Sequence, residues 1–469
     1  MNALWNASGI ARACSGALSG PDVAVSGFST DSRSVQTGAM FLALRGERFD
    51  AHDFVADVLG AGAAVAVVAR DFAPDGLPAD CSLIRVDDTR IALGDIARAW
   101  RSRFTLPLIG VTGSNGKTTV KEMVAAILRA HALGLGLDPA TAVLATRGNL
   151  NNDIGVPLML LGLRDTHRLA VIEMGMNHPG EIAWLAGMTK PTVALVNNAQ
   201  REHLEFMHSV AEVARENGDV FDALGDDGIA VINGDDDFSD YWCGRNAQRT
   251  VLRFALDHEA EVSARAVADG LGCSLHISGA FGNARVVLRV PGLHNARNAL
   301  CAATATLAAG ADMAAVVWAL SRFEGVKGRQ QVRAGAAGST LIDDSYNANP
   351  DSVRAAIDVL ARARGRRVLV LGDMGEVGDR GADFHREAGA YALEHGIDAL
   401  HATGTLAAHS VTAFGAHAHL HPDHASIAAA LRPQLDADTT LLVKGSRFMR
   451  MERVVEALLA NTGQDNNAS

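Results

Sequence analysis

A short glycine-rich segment holds the residues whose chemical use is clearest. Gly113 and Gly116 enclose two polar residues, and Lys117 and Thr118 follow directly. Glycines let a backbone turn so that its N–H groups point at a phosphate, while a lysine reaches the terminal phosphates and a threonine hydroxyl binds Mg²⁺. The segment therefore predicts a phosphate loop for ATP and Mg²⁺. The predicted loop residues are Gly113, Ser114, Asn115, Gly116, Lys117, Thr118 and Thr119.

This loop departs from the commonest phosphate-loop pattern. In G-x-x-x-x-G-K-[ST] the first glycine would fall at Val111, so only the shorter variant T-G-x-x-G-K-T remains. The apolar run Leu106–Thr112 precedes the loop and the helical run Val120–Ala130 follows it. Strand, loop and helix thus come in the order that phosphate binding requires, which disfavours a chance glycine-rich turn. Because many reaction types use such a loop, other residues must decide the chemistry.

Two further residues stand where a parallel sheet presents ligands. Glu173 ends the predicted strand Leu169–Met174, and His203 lies shortly after the next predicted strand, Thr192–Asn197. Ligands bind at the carboxyl ends of parallel strands, and a carboxylate there suits Mg²⁺, which prefers oxygen ligands. A structural histidine is the alternative at position 203. We expect both residues to lie near the phosphate loop.

Charge and composition exclude several classes of protein. The formal net charge is -11 and no block of basic residues occurs, so nucleic acid is not an expected partner. The five cysteines form no C-x-x-C pair, which is typical of reduced thiols in the cytoplasm. Neither a secretion signal nor a run of about 18 apolar residues occurs, so we expect no membrane span. The sequence predicts a cytoplasmic protein, and we expect a monomer.

Short β-type runs alternate with longer alanine-rich stretches through most of the chain. This pattern predicts an α/β fold with helices on parallel sheets, and 469 residues suffice for about three domains. We expect domains at 1–104, 105–324 and 325–463, with a disordered tail at 464–469. Beyond the strands above, those predicted are Met40–Leu44, Ala64–Ala69, Gly228–Asn233, Thr340–Asp344, Arg367–Leu371 and Thr439–Lys444, with an extra antiparallel patch at Val286–Val290. The predicted helices also include Ile91–Arg103, His294–Ala309 and Ser352–Arg364.

The variant phosphate loop and four further motifs resemble the Mur ligase family. These motifs are TGSNGKTT from position 112, GNLNNDIGVP from 148, EMGMNHPGEI from 173, GLHNARNAL from 292 and DDSYNANPDS from 343. The resemblance runs from about Ser26 to Leu459. It implies a three-domain architecture: a first domain for a UDP-linked substrate, a central phosphate-loop domain for ATP, and a Rossmann-like third domain that brings the amine. It also implies ATP-dependent amide-bond formation through an acyl phosphate.

The same resemblance implies roles for individual residues. The implied catalytic residues are Lys117, Glu173, His203 and Arg329, and the implied metal ligands are Thr118, Glu173 and His203. Besides the loop, ATP would contact His294, Asn295, Asn298, Arg329, Asp344 and Asn347. The UDP-linked substrate would contact Ser29, Thr30, Asp31, Ser32, Arg33, Arg45, Gly46, Asp50, His52, Asn149, Asn151 and Asn152. The incoming dipeptide would contact Asp373, Glu376, Lys444, Ser446 and Arg447.

Some of these residues have a structural alternative. Asn295 suits a helix N-terminal cap almost as well as contact with an adenine base, and the segment 29–33 suits a capped turn. The alternating histidines His417, His419 and His421, with His424, lack acidic or cysteine partners at matched spacing. They therefore favour a surface strand over a metal site.

One position departs from the family pattern. Where family members commonly carry a lysine that is carbamylated and adds negative charge to the metal site, this chain has Asn217. An amide cannot be carbamylated and carries no charge. Either the Asn217 oxygen supports the metal, or Glu216 or Asp219 supplies the missing charge.

Two motifs favour one reaction within the family. GNLNNDIGVP and YNANP resemble members that join D-alanyl-D-alanine to UDP-N-acetylmuramoyl-tripeptide, which would then be the partners of this chain. The alternative within the superfamily is a ligase that adds a diamino acid to a muramoyl peptide, or one that resembles folylpolyglutamate synthase. An alternative of another class is a nucleotide-gated binding or regulatory module without appreciable ATP turnover.

Overall fold

The computed structural model describes residues 3–46, 49–73 and 76–460. The predicted disordered tail, 464–469, lies outside these residues. The first part of the chain forms a five-stranded sheet of order β2-β7-β6-β5-β4, in which β4 to β7 are parallel, and a two-stranded sheet of β1 and β3. The strands are β1 Trp5–Asn6, β2 Ala17–Ser19, β3 Ala24–Val25, β4 Gly27–Ser29, β5 Ala39–Leu42, β6 Val65–Ala69 and β7 Leu83–Val86. The helices are α1 Ala7–Ala13, α2 Val55–Gly60 and α3 Thr89–Arg101.

The middle of the chain forms a nine-stranded sheet of order β16-β15-β14-β13-β12-β11-β8-β10-β9. The strands are β8 Leu108–Thr112, β9 Val143–Ala145, β10 Leu169–Glu173, β11 Val193–Val196, β12 Ile229–Asn233, β13 Thr250–Ala255, β14 Val262–Asp269, β15 Gly272–Gly279 and β16 Ala284–Leu288. The helices are α4 Lys117–Gly134, α5 Pro139–Ala142, α6 Gly155–Leu161, α7 Glu181–Thr189, α8 Leu204–Met207, α9 Val210–Gly218, α10 Ser239–Arg245, α11 Leu293–Ala308 and α12 Met313–Leu320.

Strand β8 lies at the point of the nine-stranded sheet where the strand order reverses. It pairs in parallel with β10 on one side and with β11 on the other. In open α/β sheets this reversal leaves a crevice at the carboxyl ends of the strands, where ligands bind. The phosphate loop follows β8 directly, so the fold places it in that crevice.

The last part of the chain forms a six-stranded sheet of order β17-β18-β22-β19-β20-β21, in which only β17 runs antiparallel to its neighbour. The strands are β17 Gln331–Ala334, β18 Thr340–Asp344, β19 Arg366–Gly372, β20 Ala399–Thr403, β21 Ala418–His421 and β22 Thr439–Lys444. The helices are α13 Pro350–Ala361, α14 Gly381–Glu394, α15 Ala407–Phe414, α16 His424–Leu431 and α17 Glu452–Leu458. Short 3₁₀ helices lie at Ala51–Phe54, Asp219–Ala223, Ala336–Gly338, Gly378–Arg380, Arg432–Gln434 and Arg447–Met449.

The α/β fold class is confirmed, with differences in detail. Helix α3 begins two residues before the predicted start because the Asp88 carboxylate caps it by accepting from the Arg90 and Ile91 N–H groups. The predicted antiparallel patch is real, but it extends over β14 to β16. The domain boundaries at 104/105 and 324/325 stay predictions. Within the described part of the chain, no helix has both the length and the apolar character needed to cross a membrane.

The first and middle parts share one hydrophobic core. Helix α3 packs its Trp100 against the middle part, and the indole Nε1 donates to the Leu163 carbonyl at 3.2 Å. Arg101 is buried in the same contact, where its Nε donates to the Thr189 carbonyl at 3.0 Å. These contacts join helix α3 of the first part to the middle part of the chain.

Candidate active site

A cavity of about 990 Å³ lies between the carboxyl edge of the nine-stranded sheet and the six-stranded part of the chain. Residues from both parts line it, so the cavity requires the two parts to lie together. The predicted site residues that line it are Ser114, Asn115, Gly116, Lys117, Thr118, Thr119, Asn149, Asn151, Asn152, Glu173, His203, His294, Asn295, Asn298, Arg329, Asp344, Asn347, Glu376, Lys444, Ser446 and Arg447.

The phosphate loop needs glycine at both predicted positions. Gly113 has a φ of 128° and Gly116 a φ of 82°, a left-handed region that other residues rarely adopt. A Cβ on Gly116 would also lie 2.5 Å from the Asn298 Oδ1 atom. The loop therefore turns tightly into α4, whose N-terminal end faces the cavity.

Asparagines at the end of β11 hold this loop in place. The Asn197 side chain donates to the Asn115 carbonyl at 2.8 Å and to Asn298 Oδ1 at 2.9 Å. The Asn198 Oδ1 atom accepts from the Asn115 N–H at 2.8 Å. Neither residue was assigned a role from the sequence, although Asn197 ends a predicted strand and Asn198 follows it. The Asn197 amide thus connects the phosphate loop to α11, and the Asn198 amide holds Asn115.

The Lys117 ammonium is surrounded by acceptors. It donates to the carbonyls of Gly113 and Ser114 at 2.6 and 2.9 Å and forms an ion pair with Glu202 Oε1 at 2.9 Å. Glu202 is buried, and its second oxygen has no hydrogen-bond partner among the described residues. Glu202 was not predicted from the sequence, where its signal was a carboxylate directly beside His203, a candidate metal ligand.

Thr118, Glu173 and Arg329 converge beside the loop. The Thr118 hydroxyl donates to Glu173 Oε1 at 3.0 Å, and Arg329 donates to the Thr118 oxygen at 3.1 Å. Asn151 also donates to Glu173 Oε1, at 2.8 Å, while Glu173 Oε2 is buried without a partner within the described ranges. A hydroxyl beside a carboxylate with a free oxygen fits Mg²⁺.

Thr118 and Glu173 provide only part of the coordination shell of a metal ion. No group of three or more His, Cys, Asp or Glu side chains that could enclose a metal occurs among residues 3–46, 49–73 and 76–460. Mg²⁺ commonly keeps several waters and takes one or two carboxylates together with substrate phosphates. The partial shell therefore matches an ion that arrives with a nucleotide.

His203 lies between two carboxylates. Its Nδ1 atom lies 2.5 Å from Glu376 Oε2, and its Nε2 atom lies 3.6 Å from Glu202 Oε1. The contact with His203 holds the pKa of Glu376 below its ordinary value, against the opposing effect of burial. Glu376 was predicted to contact the incoming dipeptide, and the structure places it against the candidate metal-binding histidine.

Asn217 holds the phosphate loop. Its Oδ1 atom accepts from the Gly113 N–H at 2.8 Å, and its Nδ2 atom donates to the Val213 carbonyl at 3.1 Å. Both nearby carboxylates that could supply the negative charge of a carbamylated lysine, Glu216 and Asp219, are already engaged. Glu216 accepts from the N–H groups of Gly180 and Ile182, both at 2.8 Å, and Asp219 pairs with Arg245 at 2.6 Å. None of the three side chains lines the cavity, and each has a partner elsewhere, so both alternatives for this position stay predictions.

The start of α11 lines the cavity next to the phosphate loop. Gly292 precedes the first helical residue, so Asn295 is not the N-terminal cap. Asn295 is buried, donates to the Pro291 carbonyl at 2.8 Å and accepts from Asn298 at 3.1 Å. Burial lowers the pKa of His294 to about 4, so its imidazole is neutral at pH 7.

Lys444 and Asp344 form a buried ion pair. The ammonium lies 2.7 Å from Asp344 Oδ2 and donates to the Asn347 carbonyl at 2.9 Å. Burial raises the pKa of Asp344, and the Lys444 charge opposes that rise. Lys444 was predicted to contact the incoming dipeptide, but its ammonium is already paired with Asp344 and bound to the Asn347 carbonyl.

The other predicted dipeptide residues differ in their surroundings. The oxygens of Asp373 accept from the Thr405 and Ala407 N–H groups at 3.0 and 2.7 Å, so this carboxylate binds the start of α15 and does not line the cavity. The Ser446 hydroxyl accepts from the Gly375 N–H at 2.7 Å. Arg447 pairs with Glu452 at 2.8 Å but is largely exposed at the cavity wall. Arg447 is thus the predicted cation with the most freedom to reach a ligand.

The predicted UDP-substrate residues fall into two groups. Asn149, Asn151 and Asn152 line the cavity. The group on the five-stranded part does not line it, and this group is Ser29, Thr30, Asp31, Ser32, Arg33, Arg45, Gly46, Asp50 and His52. In that group His52 is buried, and its Nε2 atom accepts from the Ala69 N–H at 2.9 Å.

A second charged cluster joins the two parts of the chain beside the cavity. The Arg201 guanidinium pairs with Asp351 at 2.6 Å and with Glu387 at 3.0 Å, and the Arg201 backbone N–H donates to Asp351 at 2.8 Å. Asn349 donates to Asn115 Oδ1 in the phosphate loop at 2.9 Å. These contacts fix α13 and α14 against the loop that follows β11.

The four histidines named from the sequence lie near the far edge of the six-stranded sheet. His419 and His421 belong to β21, the edge strand, which agrees with the predicted surface strand. The His421 Nε2 atom lies 2.9 Å from Nδ1 of His401, a buried residue of the neighbouring strand.

Three family models match successive parts of the chain. The Mur ligase family catalytic domain matches residues 24–101, the Mur ligase middle domain residues 111–306, and the Mur ligase glutamate ligase domain residues 328–447. Together they match strands of the five-, nine- and six-stranded sheets.

Relatives with similar sequences match over nearly their full length. The UDP-N-acetylmuramoyl-tripeptide–D-alanyl-D-alanine ligase of Escherichia coli (strain K12) is 39% identical, over 95% of this chain and 96% of the relative. The ligase of the same name from Bacillus subtilis (strain 168) is 31% identical, over 96% and 97%.

Solved structures of MurF ligases are also similar to this chain over nearly their full length. The crystal structure of MurF from Acinetobacter baumannii has a TM-score of 0.87 at 33% identity, over 96% of this chain and 98% of that chain. MurF ligase from Thermotoga maritima in complex with ADP has a TM-score of 0.79 at 26% identity, over 92% and 96%. The chain belongs to the Mur ligase family, in the group of the UDP-N-acetylmuramoyl-tripeptide–D-alanyl-D-alanine ligases.

Proposed function

We propose that this ATP-dependent ligase joins D-alanyl-D-alanine to UDP-N-acetylmuramoyl-tripeptide in peptidoglycan precursor synthesis, and that ADP and phosphate are the by-products. The names of its relatives support this choice of substrates. The observation that carries the proposal is the convergence of Thr118, Glu173 and Arg329 at the phosphate loop, with contacts of 3.0 and 3.1 Å. Residues of the phosphate loop and of the last part of the chain thereby meet at one point.

The reaction needs activation because a carboxylate oxygen is a poor leaving group. A carboxylate oxygen of the tripeptide attacks the γ-phosphorus of ATP, and ADP leaves. The uncharged amine of the dipeptide then attacks the acyl carbon, a proton leaves the nitrogen, and phosphate departs. This sequence forms one amide bond for each ATP that is cleaved.

Bringing ATP and a carboxylate together requires positive charge. Two unit charges about 4 Å apart repel by roughly 4 kcal/mol at an effective dielectric constant of about 20. Lys117 and Arg329 line the cavity on both sides of Thr118 and offset this repulsion. Thr118 and Glu173 would hold Mg²⁺, which neutralises developing charge on the phosphate oxygens when bound.

The remaining cavity residues have proposed roles in binding. Asn149, Asn151 and Asn152 line the cavity, where their amides can donate to and accept from the tripeptide. Asp344 and the start of α11 face the nucleoside end of ATP. Arg447 is the proposed partner of the dipeptide carboxylate, because Lys444 is paired with Asp344.

The direct test replaces the phosphate-loop lysine. Lys117→Ala is expected to abolish ADP formation in the presence of both peptide substrates and Mg²⁺, while binding of the UDP-linked peptide persists. Lys327→Ala, at an exposed lysine outside the cavity lining, serves as the matched control. Phosphate release at the wild-type rate in Lys117→Ala would contradict the role of Lys117.

The choice of amine is tested separately. Purified protein is offered D-alanyl-D-alanine, a diamino acid or glutamate, each with the matching acid substrate, and the product is identified by mass. We expect amide formation only with D-alanyl-D-alanine. A negligible rate of ATP turnover that is the same with every amine offered would instead support a nucleotide-gated regulatory module.

A further inference from the structure

Tyr346 is an aromatic residue of the cavity wall that the proposed reaction does not use. Two guanidinium groups lie close to its ring. The Cζ atom of Arg329 is 4.2 Å from the ring centroid, and the Cζ atom of Arg447 is 5.7 Å from it. A cation within about 6 Å of an aromatic centroid is attracted to the electron-rich face of the ring. Tyr346 therefore interacts most closely with Arg329, the arginine that reaches the phosphate loop.

The pairing of β17 with β18 brings Arg329 and Tyr346 together. Gln331 pairs with Asp343 in this antiparallel ladder. Arg329 precedes β17 and Tyr346 follows β18, so both residues lie at the same end of the strand pair. The Tyr346 N–H donates to the Gly328 carbonyl at 3.0 Å, and a Cβ added at Gly328 would lie 3.2 Å from the Tyr346 Cβ atom. The backbone that carries Arg329 is therefore packed directly on Tyr346.

The backbone around Arg329 is held in an unusual conformation. Gly328 and Gln330, the residues on its two sides, have φ angles of 73° and 53°. A glutamine rarely adopts a positive φ, so surrounding contacts must maintain it. These turns fix the point at which the Arg329 side chain begins. The side chain itself has several rotatable bonds, so further contacts are needed to fix the guanidinium.

Two contacts limit the freedom of the Arg329 guanidinium. It donates to the Thr118 oxygen at 3.1 Å, and it lies over the Tyr346 ring. The carboxylate at the end of β18, Asp344, pairs with Lys444 instead, at 2.7 Å. A carboxylate partner would offset the positive charge that the phosphates of ATP require. An aromatic face holds the cation by a weaker attraction and leaves its N–H groups available to phosphate oxygens.

We propose that Tyr346 is a positioning residue for phosphoryl transfer, whose ring holds the Arg329 guanidinium toward the outer phosphates of ATP without neutralising its charge. The inference rests on the proposed function, in which Arg329 offsets the repulsion between ATP and the substrate carboxylate. Because the ring takes up no N–H group, Arg329 can turn its donors to the phosphates when ATP enters. Arg447 lies near the limit of the interaction distance, so the main effect is on Arg329.

The first test measures nucleotide binding by isothermal titration calorimetry with Mg²⁺ and without peptides. The affinity for β,γ-imido-ATP, which does not transfer its outer phosphoryl group, is divided by the affinity for ADP. Tyr346→Leu should lower this ratio about 5-fold, because Arg329 then contacts the outer phosphate in only part of the molecules. Tyr346→Phe retains the ring face and should keep the wild-type ratio. Tyr241→Leu changes an exposed tyrosine outside the cavity lining and should also keep it.

A double-mutant cycle assigns the effect to Arg329. In Arg329→Ala the ring has no guanidinium at this position to hold, so adding Tyr346→Leu should change the ratio no further. A merely structural role of the ring would give a similar loss in both backgrounds. In the ligase assay Tyr346→Leu should lower kcat about 10-fold and leave the KM for the UDP-linked peptide unchanged, because the lost interaction acts on the transferring phosphoryl group.

Three results would overturn the assignment. One is a wild-type affinity ratio in Tyr346→Leu, and another is an equal loss in Tyr346→Phe, which would assign the effect to the hydroxyl. The third is an undiminished effect of Tyr346→Leu in the Arg329→Ala background. If Tyr346→Leu fails to fold, Tyr346→Met gives the same reading, because its side chain fills space without a ring face. The ratio needs no peptide, so a chain with the expected ratios that formed no amide bond would disprove the proposed function alone.

Discussion

The Asn217 side chain accepts a hydrogen bond from the backbone N–H of Gly113 at 2.8 Å. Gly113 is the first glycine of the phosphate loop and has a φ of 128°. Asn217 is buried on α9, so a rigid helix fixes the point at which β8 turns into the loop. The residue that departs from the family pattern is thus a support of the loop backbone.

Replacement of Asn217 by alanine should weaken nucleotide binding. The change leaves the buried Gly113 N–H without its partner, which costs about 1–3 kcal/mol. We therefore expect ATP affinity to fall by about 10-fold or more, as measured by isothermal titration calorimetry. Asn217→Asp keeps an acceptor oxygen and should lose less affinity. Equal affinity in Asn217→Ala and wild type would show that the loop does not depend on this contact.

The elements nearest the loop could be predicted from sequence because their signals are local. Strand β8 is an unbroken apolar run, the loop is contiguous, and Glu173 is the last residue of a second apolar run. Glu202 could not be assigned in this way. Its partner Lys117 lies 85 positions away, and only the parallel pairing of β8 with β11 brings them together.

Two residues predicted to contact the dipeptide, Asp373 and Lys444, have partners within the protein for a common physical reason. Glu173 and Lys444 end a strand and Asp373 directly follows one, so all three give a similar signal in the sequence. Backbone N–H groups of α15 take up the oxygens of Asp373, and the buried Asp344 takes up the ammonium of Lys444. Because these partners come from distant segments, the sequence could not distinguish structural charged residues from ligand-binding ones.

The charged cluster of Arg201, Asp351 and Glu387 should keep the middle and last parts of the chain together at the cavity. Arg201→Met removes the ion pairs with Asp351 and Glu387, and hydrogen bonds to charged groups contribute about 1.5–3 kcal/mol each when they are partly shielded from water. We expect a larger radius of gyration in small-angle X-ray scattering and a lower kcat.

The matched control for this change is Arg386→Met. Arg386 is an exposed arginine on the same helix as Glu387 and pairs only locally with Asp383. Its replacement should change neither the scattering nor kcat. An unchanged radius of gyration in Arg201→Met would contradict the proposal that this cluster keeps the last part of the chain against the middle part.

Loss of Lys444 should destabilise the protein strongly. Lys444→Met leaves Asp344 buried without its ion-pair partner, and breaking a buried pair in this way costs about 3–5 kcal/mol. Urea denaturation should show this loss in the free energy of unfolding. The double variant Lys444→Met with Asp344→Asn removes the stranded charge and should recover part of the stability. If the single variant unfolds at the wild-type urea concentration, the pair contributes nothing to the fold.

The histidine pair at the edge of the six-stranded sheet should make stability dependent on pH. His401 is buried against His421, with His419 and Arg366 nearby, and burial followed by these positive neighbours lowers the pKa of His401 to about 4. In the unfolded chain the pKa is about 6.5. The unfolded state therefore binds a proton first, and the free energy of unfolding should fall as the pH decreases from about 6.5 to about 4. Burial also lowers the pKa of His421, which acts in the same direction.

Urea denaturation between pH 7 and pH 4.5 checks this slope. His401→Gln removes the titrating ring while an amide can still contact His421, so the dependence of the unfolding free energy on pH should become shallower. His417→Gln changes an exposed histidine beside β21 and should leave the slope as in the wild type. The comparison uses the slope because any substitution at a buried site also shifts absolute stability. A slope that is equally steep in His401→Gln and wild type would place the acid sensitivity in other groups.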